Sequence, residues 1–225
     1  MKYIFLHGLG QTPDSWNRVL GYQNTSTDSI CPDLARLVHG REAKYPDLYA
    51  AFSALCDTIE DDLTLCGLSL GGVLALNYTI DHPEKVKSLI LIATPYKMPK
   101  QLLRLQNILF CFMPKSAFSQ TGFQKTDFIR LCRSMAELDF SRSLRKVTCP
   151  VLVLCGEHDL ANQKAARMLA GLLKNAAFQQ IPNAGHEVNT DAPERLAEIL
   201  SQVKKLAKHS NSIFAICNST LLLLR

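Results

Sequence analysis

The 225-residue sequence predicts an α/β fold, a mainly parallel sheet of about six strands with helices on both faces. Three observations carry this expectation. Residues 85–93, KVKSLILIA, form a nearly continuous apolar run between Pro83 and Pro95, the pattern of a strand covered on both sides. Residues 151–155, VLVLC, repeat that pattern. Stretches with helical spacing alternate with such runs, and a parallel pair needs a long crossover of that kind.

Taken in order, residues 2–6 read as a short buried strand ending at His7-Gly8-Leu9-Gly10. A helix is expected from 13 to 20, with Pro13 at its start and the only tryptophan, Trp16, inside it. Residues 29–34 suggest a second strand that closes at Pro32-Asp33. Over 47–59, Leu48, Ala51, Phe52 and Leu55 share one helical face. Asp61-Asp62-Leu63-Thr64-Leu65 begins a strand, CGLSLGG follows as a tight turn, and 73–80 reads as a helix that leads to Pro83. After the 85–93 and 151–155 strands come a helix over 161–173, a strand over 178–181 and a helix over 192–208.

The segment 96–148 breaks this rhythm. It contains helix-like pieces near 100–112, 125–135 and 137–144 and no convincing strand. A single crossover helix needs far fewer residues, so the segment reads as an insertion lying over the sheet. The expected organisation is a core of 1–95 and 149–209, a small helical lid over 96–148, and a tail of 210–225 whose role the residues do not reveal. That tail has no more than about five consecutive apolar residues, too few to cross a bilayer.

Composition excludes several functional classes. At +5, the formal charge lacks the clustered basic stripes of a nucleic-acid binder, and helix-turn-helix, zinc-finger and phosphate-loop patterns are absent. The eight cysteines contain no Cys-x-x-Cys pair, so they read as reduced thiols with no metal site. MKYIFLHGLG carries an apolar stretch too short for a secretory signal core, and a cytoplasmic location is expected.

Ser69 stands between Gly67 and Gly71 at a strand-to-helix turn, where small neighbours let a hydroxyl project clear of the backbone. An ordinary Gly-rich turn would look the same. The choice shifts when other strand ends are read. Asp159 follows Cys155 by four residues, and His186 follows Ile181 by five. The carboxyl ends of parallel strands share one edge, so Ser69, Asp159 and His186 are expected together there. These types suit one another: a neutral imidazole takes the serine proton, and a carboxylate fixes the tautomer and stabilises the imidazolium. Asp33, Asp57 and Asp139 are rival carboxylates, and His158 adjoins Asp159, but none combines strand-end placement with chain order.

With His-Gly after an early strand, Gly67-Leu68-Ser69-Leu70-Gly71, Gly156-x-x-Asp159, and Gly185-His186 ahead of Ala192-Pro193-Glu194, the chain resembles the α/β-hydrolase family over roughly residues 3–205. The resemblance implies a Ser69-Asp159-His186 triad, an oxyanion hole from the backbone N–H groups of Leu9 and Leu70, and structural support from His7, Gly8, Gly67 and Gly71. It implies a carboxylic ester or thioester hydrolase working through an acyl-enzyme on a small-molecule acyl substrate, without metal or organic cofactor. Two alternatives stay open: a carbon-carbon bond hydrolase or elimination enzyme using the same triad, and a non-catalytic small-molecule receptor. The family usually has two strands before the His-Gly strand; here that strand comes first, so a trimmed sheet of about six strands is expected.

The lid has ten basic residues, among them Lys100, Arg104, Lys115 and Lys125, against Asp127, Glu137 and Asp139. They form either a solvated outer face or a surface that steers an anionic substrate or meets an anionic lipid surface.

Overall fold

A computed structural model of the chain describes residues 1–23, 28–119 and 121–209. Six strands, β1 (Lys2–Leu6), β2 (Ser29–Ile30), β3 (Leu63–Leu68), β4 (Val86–Ile92), β5 (Val151–Gly156) and β6 (Ala176–Ile181), form one sheet in the order β2-β1-β3-β4-β5-β6. All five pairings are parallel. The helices are α1 (Asn17–Gln23), α2 (Leu34–Leu37), α3 (Tyr45–Asp57), α4 (Leu70–Asp81), α5 (Lys100–Phe112), α6 (Lys125–Met135), α7 (Leu160–Leu172), α8 (Val188–Asp191) and α9 (Pro193–His209).

The continuous apolar runs reflect two cores. Along each strand, successive side chains point to opposite faces. Ile4, Leu89, Leu91, Val151 and Val153 enter one core with residues of α3, α4 and α7. Phe5, Ile90, Ile92, Leu152 and Leu154 enter the other with Trp16 and α9 residues Leu196, Ile199 and Leu200. Every residue of β3 and β5 is buried, which leaves their carboxyl ends as fixed platforms for the loops that follow.

Three expected elements are corrected. The strand over 29–34 is only two residues long: Pro32 has no N–H to donate, and the Asp33 carboxylate caps α2 by accepting from Ala35 N at 3.0 Å and Arg36 N at 3.2 Å. The helix over 13–20 is a 3₁₀ turn, Pro13–Trp16, followed by α1. Residues 137–144 do not form a helix. Met98 N donates to Leu138 O and Phe140 N to Tyr96 O, so the backbone is drawn to the chain entering α5, and the helical turn that remains is 3₁₀, Leu144–Lys146.

Between β4 and β5, α5 and α6 pack on one another around Phe110, Phe118, Phe123 and Phe128, whose ring centroids lie 4.7 to 6.3 Å apart. A reciprocal cap of Gln124 and Asp127 starts α6. The seven cysteines among the described residues are free thiols. Burial pushes the Cys132 thiol up to about 11 and that of Cys149 to about 12, so both behave as apolar packing groups at neutral pH. Among the described residues, no helix is long and apolar enough to cross a membrane, and no cluster of His, Cys, Asp or Glu could hold a metal ion. The segment 210–225 lies outside the described residues.

Candidate active site

β3 hands the chain to α4 through Ser69, whose φ of 50° and ψ of −111° are strained for a non-glycine residue. Neighbouring glycines make the turn possible. A Cβ on Gly67 would lie 2.4 Å from the Gly71 carbonyl carbon, and one on Gly71 would lie 2.3 Å from Leu6 O in β1. Gly72 adds a demand not anticipated from sequence, since a Cβ there would sit 1.9 Å from Thr94 Oγ1. Ser69 N donates to Ile92 O at 2.9 Å, which ties the turn to the end of β4. Leu70 is the first residue of α4, so its N–H is one of the four that find no carbonyl within the helix, at the positive end of the helix dipole.

Asp159 follows β5. Its side chain is 6% exposed, and its Oδ2 lies 2.8 Å from His186 Nδ1. A carboxylate can only accept, so Nδ1 carries the proton and Nε2 is left as the accepting nitrogen. Asn162 Nδ2 donates to both Asp159 oxygens, at 2.8 and 3.0 Å, and lies 3.2 Å from His186 Nδ1. Burial pushes the Asp159 carboxyl upward, but the hydrogen bonds from His186 and Asn162 outweigh it and hold the group below its ordinary value. His186 sits beyond β6, where His158 N donates to Ala184 O at 2.8 Å and Gly185 N donates to the Asp191 carboxylate at 2.8 Å. Gly156 is required here: a Cβ would lie 2.0 Å from Gly185 O.

The loop after β1 carries Leu9. His7 is fully buried, donates from Nδ1 to Gly8 O at 2.9 Å, and accepts at Nε2 from Leu34 N at 3.2 Å. Those partners fix the neutral imidazole, and burial lowers its pKa. Gly8 N donates to Gln11 Oε1, and Gln11 exchanges two 3.1 Å hydrogen bonds with buried Asn189 in α8. The Leu9 loop is thereby tied to the segment that follows His186.

Ser69, Leu9, Leu70, Asn162 and His186 line one cavity of about 210 Å³, together with Met98, Leu103 and Met135 of the segment between β4 and β5. No Lys or Arg is among its described lining residues. The rival groups are engaged elsewhere. Asp33 caps α2, Asp57 accepts from Tyr78 Oη at 3.2 Å, and Asp139 pairs with Lys97 at 3.0 Å on the surface. His82 stacks on Tyr78 at 4.3 Å, and Glu187 accepts from Thr190. Sequence reasoning missed Asn162, Gln11, Asn189, Thr94 and Asp191. Only Asn162, three residues after Asp159 at the start of a helix, left a local signal.

The family model described as the alpha/beta hydrolase family matches residues 3–199. The chain belongs to the alpha/beta hydrolase family. Among curated relatives of this hydrolase-family chain, a pimeloyl-(acyl-carrier protein) methyl ester esterase of Aromatoleum aromaticum is 38% identical over 92 residues, covering 40% of the chain and 36% of the relative. A 3-oxoadipate enol-lactonase of Acinetobacter baylyi is 22% identical and covers 90% of the chain and 88% of its own length. The chain spans 36%, 43% and 53% of the length of three curated relatives that it matches. An esterase structure from Thermogutta terrifontis shares the fold, with a TM-score of 0.75 at 19% identity over 92% of the chain and 90% of that structure.

Proposed function

We propose that this hydrolase-family chain cleaves small carboxylic esters or thioesters through an acyl-enzyme on Ser69. In the proposed cycle Ser69 Oγ attacks the substrate carbonyl carbon while His186 Nε2 takes the hydroxyl proton. The Leu9 and Leu70 N–H groups hold the resulting oxyanion. The tetrahedral species expels the alcohol or thiol, which receives the proton from His186. Water then attacks the acyl carbon with His186 as base, releasing the acid and restoring the Ser69 hydroxyl. Asp159 keeps Nδ1 protonated throughout and stabilises the imidazolium.

The observation that carries this reading is the 2.8 Å contact from His186 Nδ1 to buried Asp159, with His186 and the strained Ser69 on one cavity wall. The esterase named among the relatives points the same way. The cavity of about 210 Å³ is smaller than the roughly 300–1,000 Å³ of sites for drug-sized ligands and so suits a short acyl group, and its walls, mostly apolar, suit an uncharged one. The test is hydrolysis of p-nitrophenyl esters of increasing acyl length by the wild-type protein and Ser69→Ala. Short esters should be cleaved fastest and the variant should fold but lose activity; wild-type activity retained within tenfold in Ser69→Ala would overturn the proposal.

A further inference from the structure

The lid helix α5 turns an apolar stripe to solvent. Leu105, Ile108 and Leu109 are each 55% exposed and Phe112 is 85% exposed, with Met113 beside them at the helix end. Their i, i+3, i+4, i+7 spacing places them along one face. The opposite face is used within the fold: Leu103 and Gln106 line the cavity, and Phe110 packs on Phe118 and Phe128. The stripe therefore faces away from the acyl cavity.

Charge around the stripe has one sign. Residues 98–126 include Lys100, Arg104, Lys115 and Lys125 and no Asp or Glu. Lys100 pairs with Glu137, and Lys125 donates to Cys111 O and Met113 O at 2.7 Å each, closing the end of α5. Among the described residues, Arg104 and Lys115 have no acidic partner. They flank the apolar stripe, with Arg104 one turn before Ile108 on the helix and Lys115 just beyond its end.

We propose that this face of α5 docks on an anionic lipid bilayer, with the helix lying in the interface plane, Ile108 and Phe112 among the acyl chains and Arg104 and Lys115 at the headgroups. A second copy fits less well, because pairing the same faces about a two-fold axis would bring their unpaired cations together without neutralising them. Among the described residues no Lys or Arg lines the cavity, so the lid's positive charge is better matched to a surface outside the cavity than to a substrate within it. The proposal does not depend on the esterase reading, since the docking face and the cavity are opposite sides of α5.

The test is co-sedimentation of the full chain with phosphatidylcholine vesicles, with and without phosphatidylglycerol. Because residues 210–225 are present in every protein compared, only binding that responds to α5 substitutions supports the proposal. Binding should require the anionic lipid and weaken as salt rises from about 0.1 to 1 M. Arg104→Gln with Lys115→Gln should reduce it by about 25-fold, roughly fivefold per cation. Ile108→Ser with Phe112→Ser should reduce it by at least about tenfold, with unchanged melting temperature and unchanged hydrolysis of a soluble ester. Absence of binding, or binding indifferent to both double variants, would overturn the proposal. So would a concentration-dependent dimer, seen by sedimentation velocity without vesicles and abolished by Ile108→Ser with Phe112→Ser, which would assign the face to self-association. Vesicle binding by a protein that hydrolyses no ester would refute the catalytic proposal and leave this one standing.

Discussion

Replacing Gly71 by alanine places two opposed effects in one helix. Alanine is the better helix former by about 1 kcal/mol, so propensity alone predicts stabilisation. The new Cβ, however, would lie 2.3 Å from Leu6 O, 2.6 Å from Leu6 C and 2.7 Å from Leu6 Cβ, where real contacts stay beyond 3.0 Å. Leu6 is the end of β1, fully buried and in register with Gly67 of β3, so it cannot give way. Helix α4 must lift by at least about 0.7 Å, the difference between those distances. Overpacking of this kind costs about 1–3 kcal/mol, and contact with paired backbone belongs at the upper end. The net loss is about 2 kcal/mol, or roughly 4–8 °C in melting temperature for a chain of this size. The same lift displaces Ser69 and the Leu70 N–H, and misplacement approaching 1 Å can lower turnover on the order of 10²-fold. Gly21 in α1 supplies the control: a Cβ there meets nothing within 4 Å, so Gly21→Ala should be neutral to stabilising by up to about 1 kcal/mol. Thermal melts by circular dichroism and kcat/KM on a p-nitrophenyl ester measure both effects. If Gly71→Ala melted higher, as Gly21→Ala should, and kept its activity within tenfold, the close approach of α4 to β1 would be refuted.

Asp159→Asn should lower kcat by about 10⁴-fold, while Asp33→Asn and Asp139→Asn stay near wild type in turnover; a more damaging effect from either rival in a normally melting protein would reassign the acid. Asn162→Leu removes both amide donors from the Asp159 carboxylate and should lower kcat about tenfold or more with little change in KM; an equal loss in KM, or a fall in melting temperature that accounts for the loss, would make Asn162 structural only. His7 adds pH dependence to stability. Its folded pKa lies below the ordinary value of 6.5, so the unfolded chain binds more protons between the two: stability is complete above about pH 6.5 and is lost as pH falls through the folded value. His7→Gln should flatten the dependence of melting temperature on pH below about 6.5, and an unchanged slope would count against a buried neutral imidazole.

The central strands were legible because burial on both faces leaves a nearly continuous apolar run, as in β4 and β5, and such a run between prolines or turn residues is short enough to read as a strand. Ser69, Asp159 and His186 were legible as neighbours for the same reason, since each follows a strand in a sheet whose pairings are all parallel. What escaped sequence reasoning depends on contacts distant in the chain. Gln11 and Asn189 are 178 residues apart and carry no pattern in either neighbourhood. Residues 137–144 have helical spacing, but the Leu138 carbonyl is engaged by Met98 N and the Phe140 N–H by the Tyr96 carbonyl. At residues 29–34 local chemistry decided, and the Asp33 cap with Pro32 before it ended the strand early. Asn162 lies between these extremes: its position at the start of α7 was readable, but its reach to two residues of the candidate site required β6 to bring His186 alongside.

Labelling with a fluorophosphonate followed by peptide mass mapping tests most directly whether Ser69 is the nucleophile and His186 its base. One phosphonyl group per chain is expected on the peptide containing Ser69, absent in Ser69→Ala and formed far more slowly in His186→Ala while both variants melt like the wild type. A folded, esterase-active protein that took up the label on another residue, or labelled at Ser69 equally fast without His186, would contradict that assignment.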